Sequence, residues 1–411
     1  MTTNSRFARV VEQSSRDHTA EVLADLTEAE LTQLVCKAIK QPEATIVDTD
    51  CKQIQGGASG SKVFKLSGKA KAGHETVDWS LFLKILDKRT DRHQLGDATW
   101  EREALLYESD LLNDLPGGLR VPSCDLVDRK STSEIWLWME DVSESSSAGE
   151  TLGHMDMAPW PLERYGQVAY CLGRLNGAYL TDRPLPTHRW LFREYERMPQ
   201  LWASVDGAAS IDLIGKSHTH PLVQQLYPPD VISGLAQLWQ EREVWLANLY
   251  DHLPQTFGHL DAARVNLLAR RLPDGTDELF AIDWQLSGIG GIGQELTPLV
   301  LVTLMLGNVG VEHLLALERI AFAGYADGLR DAGWDGDLRM ARYGYIALAG
   351  ISWALRRFSG MVEYLIDEEK TALMESFTKR PISESIESWS ILLEHMINLA
   401  DEGRDLAREL F

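Results

Sequence analysis

His259-Leu260-Asp261-Ala262-Ala263-Arg264-Val265-Asn266 is followed, seventeen residues after the asparagine, by Asp283 at the end of the apolar run Leu279-Phe280-Ala281-Ile282. An aspartate five residues ahead of an asparagine, on a loop that enters a strand, suits phosphoryl transfer to a hydroxyl. The carboxylate can accept the hydroxyl's hydrogen bond and proton, while the amide oxygen holds a magnesium ion on the phosphates. A second carboxylate after a strand suits the same ion, because magnesium takes oxygen ligands and bridges phosphates. Asp261 is therefore the candidate base, and Asn266 and Asp283 are the candidate metal ligands. Arg264, between base and ligand, is a candidate partner for transition-state charge, since a guanidinium can grip a phosphoryl group with two hydrogen bonds. His259 is expected to pack and hydrogen-bond within the loop.

Upstream of this stretch the texture is mixed. Residues 19–40 carry apolar positions at helical spacing, with Thr27 as N-cap and Glu30 three residues later. Residues 44–85 read as strands (ATIVDTD, KVFKLSG, VDWSLFLKIL) broken by the Gly/Ser turn GGASGS. The helical period returns over 97–113 and stops at Pro116-Gly117-Gly118. Two more strands, VPSCDLVD and EIWLWMEDV, precede a polar connection at 143–150. Beyond it the pattern is mainly helical, with a short β-like island at 265–286. A small β-rich part thus precedes a larger helical one, and a cleft between two such parts is a natural ligand site.

The pair HLDAARVN and AIDWQ resembles the H-G-D-x-x-x-x-N and I-D-[WF]-[EQ] signature of the aminoglycoside phosphotransferase family, distant relatives of protein kinases. The resemblance spans roughly residues 50–300 and is most specific at 259–285. It implies an α+β, two-lobed, protein-kinase-like fold: a small antiparallel-sheet N-lobe and a larger, mainly helical C-lobe. The domains expected are an N-terminal helical extension (1–42), a nucleotide-binding N-lobe (43–142) and a catalytic, substrate-binding C-lobe (143–411). In the N-lobe, Gly57, Ser59 and Gly60 correspond to a loop whose backbone N–H groups cover phosphates. Lys84, in LFLKIL, corresponds to the strand lysine that meets the phosphates, and Glu103 to the helix carboxylate that orients it. Glu140 to Val142 correspond to the linker whose backbone contacts adenine. Three departures mark a divergent branch: Leu260 where the family has glycine, Gln285 after Trp284, and Glu295 where many relatives carry aspartate.

Composition narrows the function further. The 411-residue chain is 44% hydrophobic and 25% charged, with 40 Lys plus Arg against 61 Asp plus Glu and a formal net charge of -21. Such an acidic balance argues against a nucleic-acid partner and is compatible with a cationic one. No apolar run is long enough to span a membrane, and Met1 to Gln13 lack an apolar core segment, so a cytoplasmic protein is expected. Cys36, Cys51, Cys124 and Cys171 have neither disulfide-framework nor zinc spacing.

Two glycine-rich matches lead elsewhere. Gly288-Ile289-Gly290-Gly291-Ile292-Gly293 fits a dinucleotide fingerprint but lacks the second strand and acidic residue such a site needs. GGASGSK is followed by a strand instead of the helix of a phosphate-binding P-loop. His218-Thr219-His220 has no nearby third ligand for a metal.

The expected activity is transfer of the γ-phosphate of ATP, or GTP, with Mg2+, to a hydroxyl of a small aminoglycoside-, sugar- or amino-alcohol-like molecule. A peptide hydroxyl kinase and a non-catalytic nucleotide-binding protein are the alternatives. For an amine-bearing acceptor, Trp190, Trp202, Trp239 and Trp245 with Glu194, Glu196, Asp206 and Asp212 form a candidate pocket.

Overall fold

Thr27 opens the first helix, α1 (Glu28–Ala38), through the reciprocal bonds that the sequence predicts. Its Oγ1 accepts from the Glu30 N–H at 3.2 Å, and the Glu30 carboxylate accepts from the Thr27 N–H at 2.9 Å. The computed structural model describes residues 19, 22, 25–54, 61–90, 100–142, 159–203, 207–272, 274–378 and 380–411. Gly57, Ser59, Gly60, Asp206 and the polar connection at 143–150 lie outside the described residues.

Five strands follow α1: β1 (Thr45–Ile54), β2 (Lys62–Ala72), β3 (Glu75–Asp87), β4 (Cys124–Asp128) and β5 (Glu134–Glu140). They form one antiparallel sheet in the order β1-β2-β3-β5-β4. The helix α2 (Arg102–Glu108) comes between β3 and β4 in the chain. Successive side chains of a strand point to opposite faces, so β3 serves two cores at once. Leu81, Leu83 and Ile85 join Phe64, Leu66, Trp136 and Trp138 against Leu31, Leu34 and Val35 of α1. Leu86, with Ile135 and Leu137, packs against Trp100 and against Ala104 of α2. Lys84 lies between Leu83 and Ile85 and therefore faces the α2 side.

The later strands are short: β6 (Phe192–Arg193), β7 (Gln255–Gly258), β8 (Leu267–Arg271), β9 (Asp277–Ala281) and β10 (Gly288–Gly291). The principal helices are α3 (Leu162–Leu180), α4 (Pro229–Ala247), α5 (Leu314–Asp331), α6 (Leu338–Leu348) and α7 (Ile382–Leu410). Helix α6 runs directly into a π-helical stretch, Ala349–Phe358. Helices α3 and α5 approach backbone to backbone. A Cβ on Gly173 would lie 2.2 Å from the Tyr325 carbonyl oxygen, and one on Gly328 would lie 2.1 Å from that of Tyr170.

The chain divides into two compact units. One comprises the described parts of 1–114, 120–154 and 267–285; the other comprises 115–119, 155–266 and 286–411. The antiparallel hairpin β8–β9, paired from Leu267↔Ala281 to Arg271↔Asp277, groups with the sheet-bearing first unit. The glycine-rich run that mimics a dinucleotide loop is buried strand β10, paired antiparallel with β7 and parallel with β6. Among the described residues no helix is long and apolar enough to cross a membrane, and no disulfide joins any of the four cysteines.

Helix α1 is part of the first unit's core, so Leu34→Ala is expected to lower its stability by about 3 kcal/mol through the cavity left behind. Urea unfolding with an unchanged slope would show this. A shift below about 0.5 kcal/mol would mean that α1 only decorates the sheet.

Candidate active site

In the first unit a buried ammonium meets two carboxylates. Lys84 is 6% exposed and Glu103 2%. The Lys84 Nζ lies 2.5 Å from Glu103 Oε2 and donates to Asp283 Oδ1 at 2.8 Å. Each partner comes from a different element: the centre of β3, the first turn of α2, and the turn that follows β9. Burial alone would push the Lys84 ammonium down; Asp283 and Glu103 together outweigh it and hold the group well above its ordinary range. Glu103 is pushed up, chiefly by burial and then by the charge of Asp283, against the pull of Lys84. One cation thus faces two anions, and the side chain of Asp283 remains 26% exposed. Asp283 also holds a backbone φ of +60°. Left-handed backbone at a non-glycine residue is disfavoured by about 1 kcal/mol or more and clusters at functional sites.

Glu140 and Val142 lie at the end of β5. The Glu140 carboxylate accepts from Arg270 Nη2 at 2.9 Å, and its N–H donates to the Ser123 carbonyl at 2.9 Å. Val142 is buried.

In the second unit β7 delivers the catalytic-loop candidates. His259 is fully buried, and its Nδ1 accepts from the Asp261 N–H at 3.2 Å, the packing role expected of it. Asn266 Nδ2 donates to the Asp261 carbonyl at 2.9 Å and to its Oδ2 at 3.0 Å. Both donated bonds use the amide nitrogen, leaving the amide oxygen as the atom suited to a cation. Leu260, where the resembling family has glycine, keeps the left-handed conformation at φ +60°. Holding that conformation costs about 1 kcal/mol.

That turn is clamped by Glu295. The Leu260 N–H donates to both carboxylate oxygens at 3.2 and 3.1 Å. The side chain comes so close that a Cβ on Gly258 would sit 2.0 Å from Oε1. Burial pushes the Glu295 carboxyl up to about 7, against the lowering effect of the Leu260 and His259 amides. Arg264 is buried, with its guanidinium 3.8 Å from the centre of the Trp160 ring.

The carboxylates expected to greet an amine are engaged within the protein. Glu196 is buried against Arg356, whose Nε and Nη2 each donate to it at 3.2 Å. Glu194 pairs with Arg197 at 2.9 Å and Asp212 with Lys216 at 2.5 Å. Arg242 lies over both Trp202 and Trp239, and Trp245 is stacked on Tyr343. Sequence reading missed Arg356 and Arg357. Their signal was two adjacent arginines inside the otherwise apolar ALAGISWALRRF.

The strand lysine with its helix glutamate, and the aspartate tied to an asparagine five residues on, sit in a fold of α+β class. No family model and no curated protein matches the sequence. Solved structures do. A microcompartment-associated aminopropanol kinase is similar at 12% identity, covering 89% of this chain and 97% of its own, with a TM-score of 0.45. An amicoumacin kinase in complex with AMP-PNP, Ca2+ and Ami is 15% identical, covering 84% and 95%, with a TM-score of 0.39. A thermostable mutant of an aminoglycoside phosphotransferase, in ternary complex with AMP-PNP and hygromycin B, is 13% identical, covering 90% and 98%, with a TM-score of 0.38.

The clamp carries a pH signature. Glu295 binds its proton more tightly folded, near 7, than at the ordinary 4.5. Its stabilising contribution is therefore complete below about pH 4.5 and lost as pH rises through about 7. Relative to Glu295→Gln, the wild type is expected to lose about 3 kcal/mol over that window, followed by urea unfolding across pH. Parallel profiles for the two proteins would contradict it.

Proposed function

We propose that this chain is a phosphotransferase that moves the γ-phosphate of ATP, or of GTP in its place, to a hydroxyl of a small molecule. The observation that carries this reading is the buried Lys84 ammonium held by Glu103 and Asp283. A lysine this deep in an apolar strand needs an anionic counterpart, and its two carboxylate partners leave one donor for a nucleotide phosphate. Asp283 is the partly exposed member of the cluster, the carboxylate that a cation could approach. Asp283 and the amide oxygen of Asn266 are hard oxygen donors, the kind magnesium takes alongside phosphates and water. Mg2+ bound with the nucleotide would supply positive charge to offset the charge developing on the phosphates.

The second unit supplies the base. Asn266 and the His259 ring fix Asp261 so that one carboxylate oxygen can receive a hydroxyl proton. As the acceptor oxygen forms its bond to the γ-phosphorus, the bond to the β-phosphate oxygen breaks and the nucleoside diphosphate leaves. Arg264, stacked on Trp160, holds the course of the loop three residues beyond the base.

Asp261→Asn keeps the shape and removes the base. It is expected to lower kcat by about a hundredfold or more, with the nucleotide KM nearly unchanged. Phosphate release and product formation, followed over a hydroxylated-metabolite and antibiotic panel, would measure this. Turnover equal to wild type would remove Asp261 from the role.

A further inference from the structure

In the second unit, the π-helical stretch Ala349–Phe358 carries two consecutive arginines, one buried and one half-buried, and the second feels the charge of Asp261. Wide π turns inside helices are often found at functional sites, because the extra residue re-aims side chains. Arg356 is paired with a carboxylate: it holds Glu196 with two hydrogen bonds, and its Nη2 also donates to Ser352 Oγ at 3.0 Å. Arg357 is not. Its Nη1 donates to the Ser352 carbonyl at 3.2 Å and to the Ser352 hydroxyl, and its guanidinium lies 4.2 Å from the centre of the Trp353 ring. Among the described residues no carboxylate lies within ion-pair distance of it. It is only half-buried, whereas Arg356 is buried.

The charged groups around Arg357 are Arg356, Glu196, Tyr195 and Asp261. Glu196 is already neutralised by Arg356, the Tyr195 phenol is held protonated by burial, and Asp261 acts from beyond pairing distance. Burial and the like charge of Arg356 push Arg357 down to about 10, still protonated near neutral pH, against the pull of Glu196, Tyr195 and Asp261. A partly desolvated guanidinium without a carboxylate is a poor structural element and a good receptor for a planar anion.

We propose that Arg357 receives an anionic group of the acceptor, a carboxylate or a phosphate, and so holds the acceptor's hydroxyl at Asp261. This rests on the phosphotransferase reading and specifies its substrate class: a hydroxylated acid, where composition was compatible with a cation. The bidentate guanidinium geometry and the engaged carboxylates of Glu194, Glu196 and Asp212 both favour an anion over an amine.

The test compares acceptor pairs that share a hydroxyl and differ in the acid: glycerate with glycerol, serine with 2-aminoethanol, homoserine with 3-aminopropanol, gluconate with sorbitol, and glycerol phosphate with glycerol. Thermal stabilisation and MgATP turnover are followed for the full chain and for Arg357→Gln and Arg357→Lys. At least one acid is expected to stabilise the wild type and to exceed its partner roughly tenfold in kcat/KM. Arg357→Gln should erase that preference, and Arg357→Lys should restore part of it with the nucleotide KM unchanged. No stabilisation by any acid, preference for the neutral or amine member, or an unchanged preference in Arg357→Gln would overturn the proposal. Acceptor-independent MgATP hydrolysis in the same samples separates the two readings. Hydrolysis that Asp261→Asn abolishes, without an acid preference, overturns only the anionic acceptor. No nucleotide turnover at all overturns both.

Discussion

A lysine ammonium at the centre of an apolar sheet is the constraint from which the rest of the first unit follows. An isolated charge in such a place is strongly disfavoured, and a buried pair that loses one member is destabilised by about 3–5 kcal/mol. Lys84 can occupy β3 only because α2 brings Glu103 to the same face and the turn after β9 brings Asp283. The alternation of β3 makes this possible. Its other face is sealed by Leu31, Leu34 and Val35 of α1, so one strand carries both a dry core and a charged site. The Asp283 side chain keeps partial exposure, so the charged site of the first unit meets solvent at that carboxylate.

The second unit solves a different problem, holding an aspartate in a fixed, strained turn. Leu260 occupies left-handed backbone that glycine would adopt without strain, and the buried Glu295 carboxylate ties its N–H in place. Gly258 yields the space that this carboxylate requires. Asn266 then fixes Asp261 from the other side. Strain next to Asp261 is maintained here by hydrogen bonds and burial, the usual way such conformations persist.

Much of this was legible in the sequence where the signals are local. The Thr27–Glu30 capping box, the strands either side of the Gly/Ser turn, and the HLDAARVN segment each declare themselves within ten residues. Lys84 was legible because an ammonium inside LFLKIL has no local explanation, and Glu103 only through the family resemblance, since Glu101 and Glu108 lie on the same stretch. What stayed hidden depends on contacts across long stretches of chain. Asp283 reaches Lys84 across 199 residues. Helix α1 reads as an extension and proves to close a sheet face. The ion pairs that Glu194, Glu196 and Asp212 make with Arg197, Arg356 and Lys216 were hidden in part for the same reason. Composition shows carboxylates, but only the fold shows that arginines and a lysine already hold them. Arg357 differs from Arg356 only in what surrounds it, which no spacing rule encodes.

The most direct test of the central claim, that the Lys84–Glu103–Asp283 cluster serves nucleotide phosphates, needs no knowledge of the acceptor. It is the slow transfer of the γ-phosphate of MgATP to water, measured for the wild type and for Lys84→Met at matched folded fraction. The account expects measurable hydrolysis by the wild type and a loss of about a hundredfold in the variant, since one preorganised charge at the transferring group is removed. Equal rates in the two proteins would contradict it, and would leave the buried triad as a structural ion cluster alone.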